Sequence, residues 1–223
     1  MTTQGQKTIS VVFGIALVLA VFPLSHAEPG KTATEKVGVA PVVDQNYFPE
    51  LAAGDRREFS FTMTMGNDTE KGKMTIKVEE GKEIRGQKYL KQVAEVEGIS
   101  GISAADADVA YFRYADDGFY AIEDSEAKLP EHREMPRPIR VGQEWSYRSA
   151  SGNSSCKAEG FEDVKVGDQV LKECLKVSDV TLAENGNKTL TTTWYQRGVG
   201  EVRIRIEDGN SVIEACRIKP PPK

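Results

Sequence analysis

Apolar and polar residues alternate one by one over much of the chain beyond residue 46. The alternation is clearest where serine and threonine separate Phe59, Phe61, Met63 and Met65. It returns in four further segments, Met74–Val78, Leu90–Val96, Leu171–Val177 and Val202–Ile206. A period of two places neighbouring side chains on opposite faces of a strand, so each segment is predicted to be a strand with one buried face. Helical spacing is limited to one short candidate turn at 102–108.

Turn-forming residues separate the predicted strands at short intervals. Gly66-Asn67-Asp68, Asp116-Asp117-Gly118 and Asp208-Gly209-Asn210 are typical of turns that need a positive φ. Short connections join antiparallel neighbours, because parallel strands need long crossovers. The predicted fold is therefore all-β, built of antiparallel meander sheets.

The chain carries an internal repeat. Leu90–Val96 matches Leu171–Val177, and the sequence around Phe59 and Phe61 matches that around Trp145 and Tyr147. At a similar offset, Phe112 falls on Trp194 and Gly118 on Gly200. These ordered matches predict two tandem similar halves, a first β-repeat at 47–129 and a second at 142–218. The Pro- and charge-rich stretch 130–141 is predicted to be a connector. The alternative is that two unrelated meanders share turn glycines and alternating aliphatic residues.

The N-terminus has the layout of a secretory signal peptide. Lys7 precedes an apolar run at Val11–Phe22, and Ser25-His26-Ala27 places small residues before a cut after Ala27. The run is shorter than the ~20 residues that span a bilayer, so we expect residues 1–27 to be removed, leaving no transmembrane anchor. The protein is then exported, to the periplasm or the medium. Residues 28–46 are predicted to be a flexible leader and 219–223 a disordered tail.

Charge and cysteine content change this picture in two ways. Loss of Lys7 reduces the 29 Lys and Arg residues to 28, against 34 Asp and Glu, a net charge of −6 that argues against nucleic acid as a partner. Three cysteines in an oxidising compartment allow one disulfide. Folding back at Gly167-Asp168 sets Cys156 beside Asp179, too far from Cys174 for a bond. Elimination predicts Cys156–Cys216, with the last strand beside 154–161. A pair involving Cys174, or no disulfide, remains open.

Candidate catalytic and metal-binding residues are few. His132, the one histidine left after processing, is predicted to be a solvated residue of the connector, and no Gly-x-Ser-x-Gly elbow or zinc spacing accompanies it. Four acidic residues lie around Val109–Tyr114, namely Asp106, Asp108, Asp116 and Asp117. The calcium-loop pattern fails at Ala110 and Tyr111, which favours turn formation. We therefore expect no catalytic residue, no metal and no cofactor.

Six aromatic residues occupy the repeat-matched positions or lie beside them: Phe59, Phe61, Phe112, Trp145, Tyr147 and Trp194. Aromatic residues on the inner face of a sheet normally form its core. A curved sheet can also leave a cavity that such side chains line. The six residues are therefore the candidate ligand-binding set.

The second half resembles the TapB-like proteins, an exported bacterial family of unknown function. The matching residues are Val141–Tyr147, Phe161–Val164, Cys174–Val177, Trp194-Tyr195 and Gly198–Val202, with looser matches at Tyr47-Phe48-Pro49, Gly54 and Tyr114–Gly118. The family is similar in shape to the LolA/LolB lipoprotein carriers, a curved half-barrel with a concave apolar face. The resemblance implies a fold and a compartment without an activity. The chain departs from LolB-type proteins because no cysteine follows the predicted cleavage site to carry a lipid.

Together these features favour an exported non-catalytic β-protein of the cell envelope. The expected partner is a lipid or another apolar or amphipathic ligand, bound in a half-barrel-like structure. Two alternatives from other classes stay open. One is a hydrolytic enzyme of the envelope, and the other is a structural protein that binds a partner at an exposed sheet edge.

Overall fold

The computed structural model describes residues 40–100, 108–122 and 131–218. Twelve strands and one 3-10 turn make up this part of the chain. The 3-10 turn is Gln45–Tyr47, and the strands are β1 (Arg56–Met65), β2 (Asp68–Ile84), β3 (Gln87–Glu97), β4 (Asp108–Ala115), β5 (Gly118–Ile122), β6 (His132–Pro136), β7 (Glu144–Ser149), β8 (Gly152–Val166), β9 (Gln169–Leu182), β10 (Lys188–Gln196), β11 (Gly200–Asp208) and β12 (Ser211–Arg217). The predicted signal peptide, the tail and almost all of the candidate helical turn at 102–108 lie outside the described residues.

All twelve strands belong to one antiparallel sheet. Its order is β6-β5-β4-β3-β2-β1-β12-β11-β10-β9-β8-β7, so the first and last strands of the chain are paired in the middle. The two edge strands, β6 and β7, follow one another in sequence and contact each other across the gap. The sheet is therefore nearly closed and barrel-like. The prediction of an all-β, antiparallel, curved meander is confirmed.

Each half of the sheet is a six-stranded meander. The sequence matches fall on strands of equal rank, since Leu90 and Leu171 lie on β3 and β9, and Phe112 and Trp194 on β4 and β10. Strand β6 lies inside 130–141, where a connector was expected. The described part of that segment pairs with β5 from Gly118 to Ala121.

The largest apolar cluster fills the inner face of the first half. It contains Phe59, Phe61, Met74 and Ile76, all less than a tenth exposed, and Ile204 packs against it. The β1 alternation thus buries the expected face. A bulge between Trp194 and Tyr195 shifts the pairing of β10 with β11. Val202 consequently packs with Trp194 in a separate cluster, away from Ile204, although the alternation predicted one face for both.

The segment 40–55, here called the strap, crosses one end of the barrel. Val43 and Tyr47 are buried, and the Val43 N–H donates to Ile139 O at 2.8 Å. Farther along, the N–H of Gly198 donates to Asn46 O at 2.6 Å. Residues 40–46, predicted as part of a flexible leader, thus pack against the barrel instead.

The predicted Cys156–Cys216 disulfide is wrong for this structure. Cys156, Cys174 and Cys216 are free thiols. The hairpin register was right, because Cys156 does pair with Asp179. The error lay in the last strand. β12 pairs with β1 and β11, so three strands separate it from β8.

Candidate functional site

The barrel encloses a cavity of about 290 Å³. Residues from the strap and from every strand except β2 line it. A surface depression would contact a few neighbouring strands, so this lining places the cavity inside the curved sheet. Its volume lies at the lower end of the range for small-molecule sites.

A buried arginine marks the part of the cavity near the strap. Nη1 of Arg57 forms an ion pair with Glu201, and Nη2 donates to Gln92 Oε1 at 3.0 Å. The Arg57 side chain is only 7% exposed. Burial lowers its pKa to about 10, and the charge of Arg217 is the next cause. Two guanidinium groups thus lie close together in the wall.

A second polar group lies farther along the cavity. The Tyr147 hydroxyl donates to Asp179 Oδ2 at 2.8 Å, and Cys156 is the pairing partner of Asp179 on β8. Burial raises the pKa of Asp179, and burial with the charges of Asp179 and Glu134 raises that of the Cys156 thiol. This end of the cavity is therefore acidic and its thiol stays protonated.

Strand β10 gives the distance between these two groups. Tyr195 pairs with Glu201, and Thr191 pairs with Asp179. Thr191 and Tyr195 are four residues apart, about 13 Å along a strand. The arginine group and the acidic group thus occupy different ends of the cavity.

Aromatic rings form much of the wall between the two ends. Phe48 of the strap meets Tyr195 edge-on, with ring centroids 4.8 Å apart. Tyr114 and Phe119 contact each other at 5.5 Å on the opposite side of the sheet order. The Trp145 indole N–H donates to Glu134 O at 2.7 Å, which fixes its ring against the cavity. These rings give the wall apolar area.

The cavity reaches the surface beside the strap. Glu50, Asp55 and Arg56 are exposed and also line the cavity. Glu50 pairs with Arg137 at 2.7 Å, and the Leu51 N–H donates to the Tyr114 hydroxyl oxygen at 3.0 Å. The strap thus forms the rim of the opening.

Only part of the predicted ligand-binding set lines this cavity. Trp145 and Tyr147 do. Phe112 lies behind the wall, in ring contact with Phe119 at 5.4 Å.

Phe59 and Phe61 belong to the neighbouring apolar cluster. Trp194 lies on the opposite face of β10, because Thr193 and Tyr195 on either side of it both line the cavity. Its indole N–H donates to Glu162 Oε1 at 2.5 Å.

His132 is not the solvated residue that the sequence indicated. It is 8% exposed and its ring stacks on Tyr147, with centroids 4.8 Å apart. Burial lowers its pKa to about 4, so it is neutral near pH 7. The error follows from β6, which places His132 opposite Ala121 inside the sheet.

Of the four acidic residues near β4, Asp117 has a local structural contact. Asp117 Oδ2 accepts from the Tyr120 hydroxyl at 2.7 Å, within the β4–β5 turn. Asp108 begins β4 and is half-buried, and Asp106 lies outside the described residues. Among the residues that are described, no group of three or more His, Cys, Asp or Glu side chains is arranged to hold a metal ion.

Sequence reasoning overlooked the polar residues of the site, although a signal existed. Arg57 is in phase with Phe59 and Phe61 on β1, and Asp179 is in phase with Leu175 and Val177 on β9. A charged residue on the buried face of an alternating strand is rare unless it is paired. That phase marks both residues as inward-facing.

Comparison with protein families and with curated proteins finds no match to this chain. Within 40–100, 108–122 and 131–218, no helix has the length and apolar character needed to cross a membrane.

Proposed function

We propose that this chain is an exported, non-catalytic protein of the cell envelope that binds a small amphipathic ligand inside its barrel. The observation that carries the proposal is the cavity of about 290 Å³ with its aromatic wall and its two polar ends. An apolar ligand body would pack against rings such as Phe119 and Tyr195, and polar lining atoms would fix its orientation. The predicted signal peptide and the resemblance to TapB-like proteins stay predictions that fit this role.

The chemistry of the cavity favours binding over catalysis. Cys156 is the cysteine that lines it, and a raised pKa keeps a thiol from forming the reactive thiolate. His132 is buried against Tyr147 and its pKa is lowered, so it is a weak base. The hydrolase alternative thus gains no support from these two groups.

Partner binding by strand addition is also less well supported. The two edge strands are short, since β6 has five residues and β7 has six. β6 ends at Pro136, and the two edges contact each other. Strand addition requires a longer open edge.

Filling the cavity tests the proposal. Val177 lines the cavity from β9 and is buried, so Val177→Phe would occupy ligand space. Val170 lies on the same strand and is 55% exposed, so Val170→Phe is the matched control. We expect saturable binding of the neutral dye N-phenylnaphthylamine to the wild type and to Val170→Phe, and at least about tenfold weaker binding to Val177→Phe.

Far-UV circular dichroism would show that each variant is folded. Thr193→Leu, from β10, is the second cavity-filling variant if Val177→Phe does not fold. Mass spectrometry of organic extracts would identify any lipid that purifies with the protein. Equal dye binding by all variants, or no saturable binding by the wild type, would contradict the proposal.

A further inference from the structure

Gln92 presents a hydrogen-bond donor to the cavity. It lies on β3 in phase with Ala94 and Val96 of the apolar cluster, and it is only 6% exposed. Arg57 can only donate, so Gln92 Oε1 is fixed as the acceptor of their bond. The Nε2 amide group has no acceptor among the residues that the structure describes. Unlike Arg57 Nε, it is not enclosed by protein atoms, so it faces the cavity that Gln92 lines. A ligand oxygen would supply the missing acceptor.

Hydroxyl groups of β10 add uncharged polar atoms to the same part of the wall. Thr193 and Tyr195 both line the cavity and are less than a tenth exposed. Tyr195 lies near Gln92, because its register partner Glu201 shares the Arg57 guanidinium with Gln92. A hydroxyl group both donates and accepts hydrogen bonds without carrying a charge. An uncharged polar patch therefore lies beside the buried ion pair.

The charged groups of the lining leave no surplus of positive charge for an anion. Among the described residues, five carboxyl side chains and four arginines line the cavity, with Asp55 and Arg217 included. Arg57 is paired with Glu201 inside the wall. An anionic head group would lose its hydration here without meeting an excess of cations, which makes its transfer unfavourable.

A cationic head group gains little as well. The carboxyl groups exceed the arginines by one, and Asp179 reduces that difference, because burial raises its pKa and so favours its neutral form. The hydroxyls of Tyr147 and Thr181 already donate to Asp179, at 2.8 Å and 3.4 Å. The arginines of the lining would repel a further cation. The lining therefore favours an uncharged head group.

We infer that the cavity binds an amphipathic ligand with an uncharged head group, whose hydroxyl or carbonyl oxygen accepts a hydrogen bond from Gln92 Nε2. The inference rests on the proposed function and adds the chemical class of the ligand. The Tyr195 hydroxyl is the second partner of the same head group. The apolar chain lies against Phe119, Met135 and Trp145, which line the cavity from β5, β6 and β7. Fatty alcohols, amides and esters have head groups of this class.

Three probes with the same chain and different head groups test the inference. Decanol is neutral, decanoate is an anion and decylamine is a cation, and each is titrated into the intact protein by calorimetry near pH 7. We expect decanol to bind at least about tenfold more tightly than either ion, because an ionic head group loses its hydration in a wall without surplus charge to replace it.

A variant of Gln92 separates recognition of the head group from a general preference for apolar molecules. Gln92→Glu keeps an acceptor for Arg57 and removes the amide donor. We expect it to weaken decanol binding at least about fivefold, the usual contribution of one hydrogen bond. Binding of N-phenylnaphthylamine, which contains no oxygen, should not change. The matched control is Gln87→Glu, because Gln87 is exposed on the same strand and does not line the cavity.

Tyr195→Phe is the second variant and carries the test if Gln92→Glu does not fold. It removes one hydroxyl and keeps the ring that meets Phe48. We expect decanol to bind at least about fivefold more weakly to it as well. Tyr120→Phe is its control, because the Tyr120 hydroxyl donates to Asp117 and Tyr120 does not line the cavity.

The outcomes separate the two claims. If decanoate or decylamine binds as tightly as decanol, or if decanol fails to bind while the dye binds, the uncharged head group is overturned and the apolar cavity stands. Decanol binding that a folded variant at Gln92 or Tyr195 leaves unchanged also overturns the assignment, because the head group would then lie elsewhere. If neither the dye nor any of the three probes binds, the proposed function itself fails.

Discussion

His132 is held in its neutral form by its place inside the barrel. Its ring stacks on Tyr147, whose hydroxyl in turn donates to Asp179. A protonated imidazole at this position would lose its hydration, and this loss lowers the pKa of His132 to about 4. The negative charge of Glu131 raises the pKa, but by less than burial lowers it. The stack therefore works as an apolar contact, and acid weakens it.

The first prediction is that His132 makes the fold acid-sensitive. The pKa is 6.5 in the unfolded chain and about 4 in the fold, so the unfolded state binds the extra proton between these values. Stability is thus lost as pH falls from 6.5 to 4, by about 2 kcal/mol between pH 7 and pH 4.5. Urea unfolding at the two pH values measures this loss.

His132→Phe is the control for that measurement. Phenylalanine keeps the contact with Tyr147 and does not titrate, so about 2 kcal/mol of the pH dependence should disappear. The raised pKa of Asp179 acts in the opposite sense, because the folded state then holds its proton to higher pH. Asp179 is present in both proteins, so its effect cancels in the comparison. An unchanged pH dependence would place His132 in solvent.

The second prediction separates the two tryptophans. Trp194 is 6% exposed in a packed cluster with Cys174 and Val202, whereas Trp145 is half-buried at the cavity. Trp194→Ala should cost about 3–5 kcal/mol of unfolding free energy, as for a large core residue. Trp145→Ala should cost about 1–2 kcal/mol, because the cavity already leaves part of its ring without contacts. Equal losses in denaturant titrations would mean that the cavity is filled by the protein itself.

At this scale the sequence identifies some site residues and not others. The match between the two repeats places Trp145 and Tyr147 in the candidate ligand-binding set, and both line the cavity. Trp194 could not be assigned to a face, because a bulge between Trp194 and Tyr195 interrupts the ladder that alternation assumes. Arg57 and Glu201 are 144 positions apart in the sequence, so no local pattern predicts that they form an ion pair.

The strap is an element whose structure comes from its contacts with the barrel. Its composition gives no periodicity, yet Val43 and Tyr47 are buried and the Tyr47 hydroxyl donates to Glu173 O at 2.9 Å. Asp44 pairs with Arg197 of the β10–β11 turn. Tertiary packing, which a sequence pattern does not show, thus orders a segment that would be flexible alone.

The third prediction is that Phe48 holds the strap closed. Phe48 packs on Tyr195 at the cavity, so Phe48→Ala removes this ring contact between the strap and the barrel. Cleavage within the strap by a nonspecific protease should become at least about tenfold faster, since this corresponds to about 1.4 kcal/mol of local opening free energy. Val42→Ala is the control, because Val42 is half exposed. Similar rates for both variants would mean that polar contacts alone hold the strap.

Strand β6 shows why element boundaries were harder to predict than element type. The long alternating runs of β1, β2 and β9 were predicted as strands, and they are strands. β6 has five residues, ends in Pro136 and contains two adjacent charged residues, Arg133 and Glu134, so its sequence is typical of a loop. It is a strand because β5 offers a free edge next to it and β7 contacts its other side.

On the scale of the whole molecule, the chain closes the sheet by returning to its start. The two halves extend in opposite directions from the β1–β12 pair, which joins seven residues of each strand. The free edges of the two halves then meet where β6 leads into β7. The strap pairs with the segment between them, since the Val141 N–H donates to Pro41 O at 3.2 Å. Backbone hydrogen bonds thus join neighbouring strands around the sheet. At the seam, where β6 and β7 meet, side chains and the strap close the barrel.

The fourth prediction is that local opening begins at this seam. β1 and β12 have hydrogen-bonded neighbours on both sides, whereas β6 and β7 each have one paired neighbour in the sheet. Backbone amides at a sheet edge open without disrupting a second ladder, so their opening free energy is lower.

Hydrogen exchange followed by mass spectrometry would rank the strands. We expect peptides from β6 and β7 to exchange at least about tenfold faster than peptides from β1 and β12. The opening free energy of β1 and β12 should approach the free energy of global unfolding. Val177→Phe should leave this ranking unchanged, because it fills the cavity without altering strand order. Equal protection of all four strands would show that β6 and β7 are joined by backbone hydrogen bonds in solution, which would make the barrel fully closed.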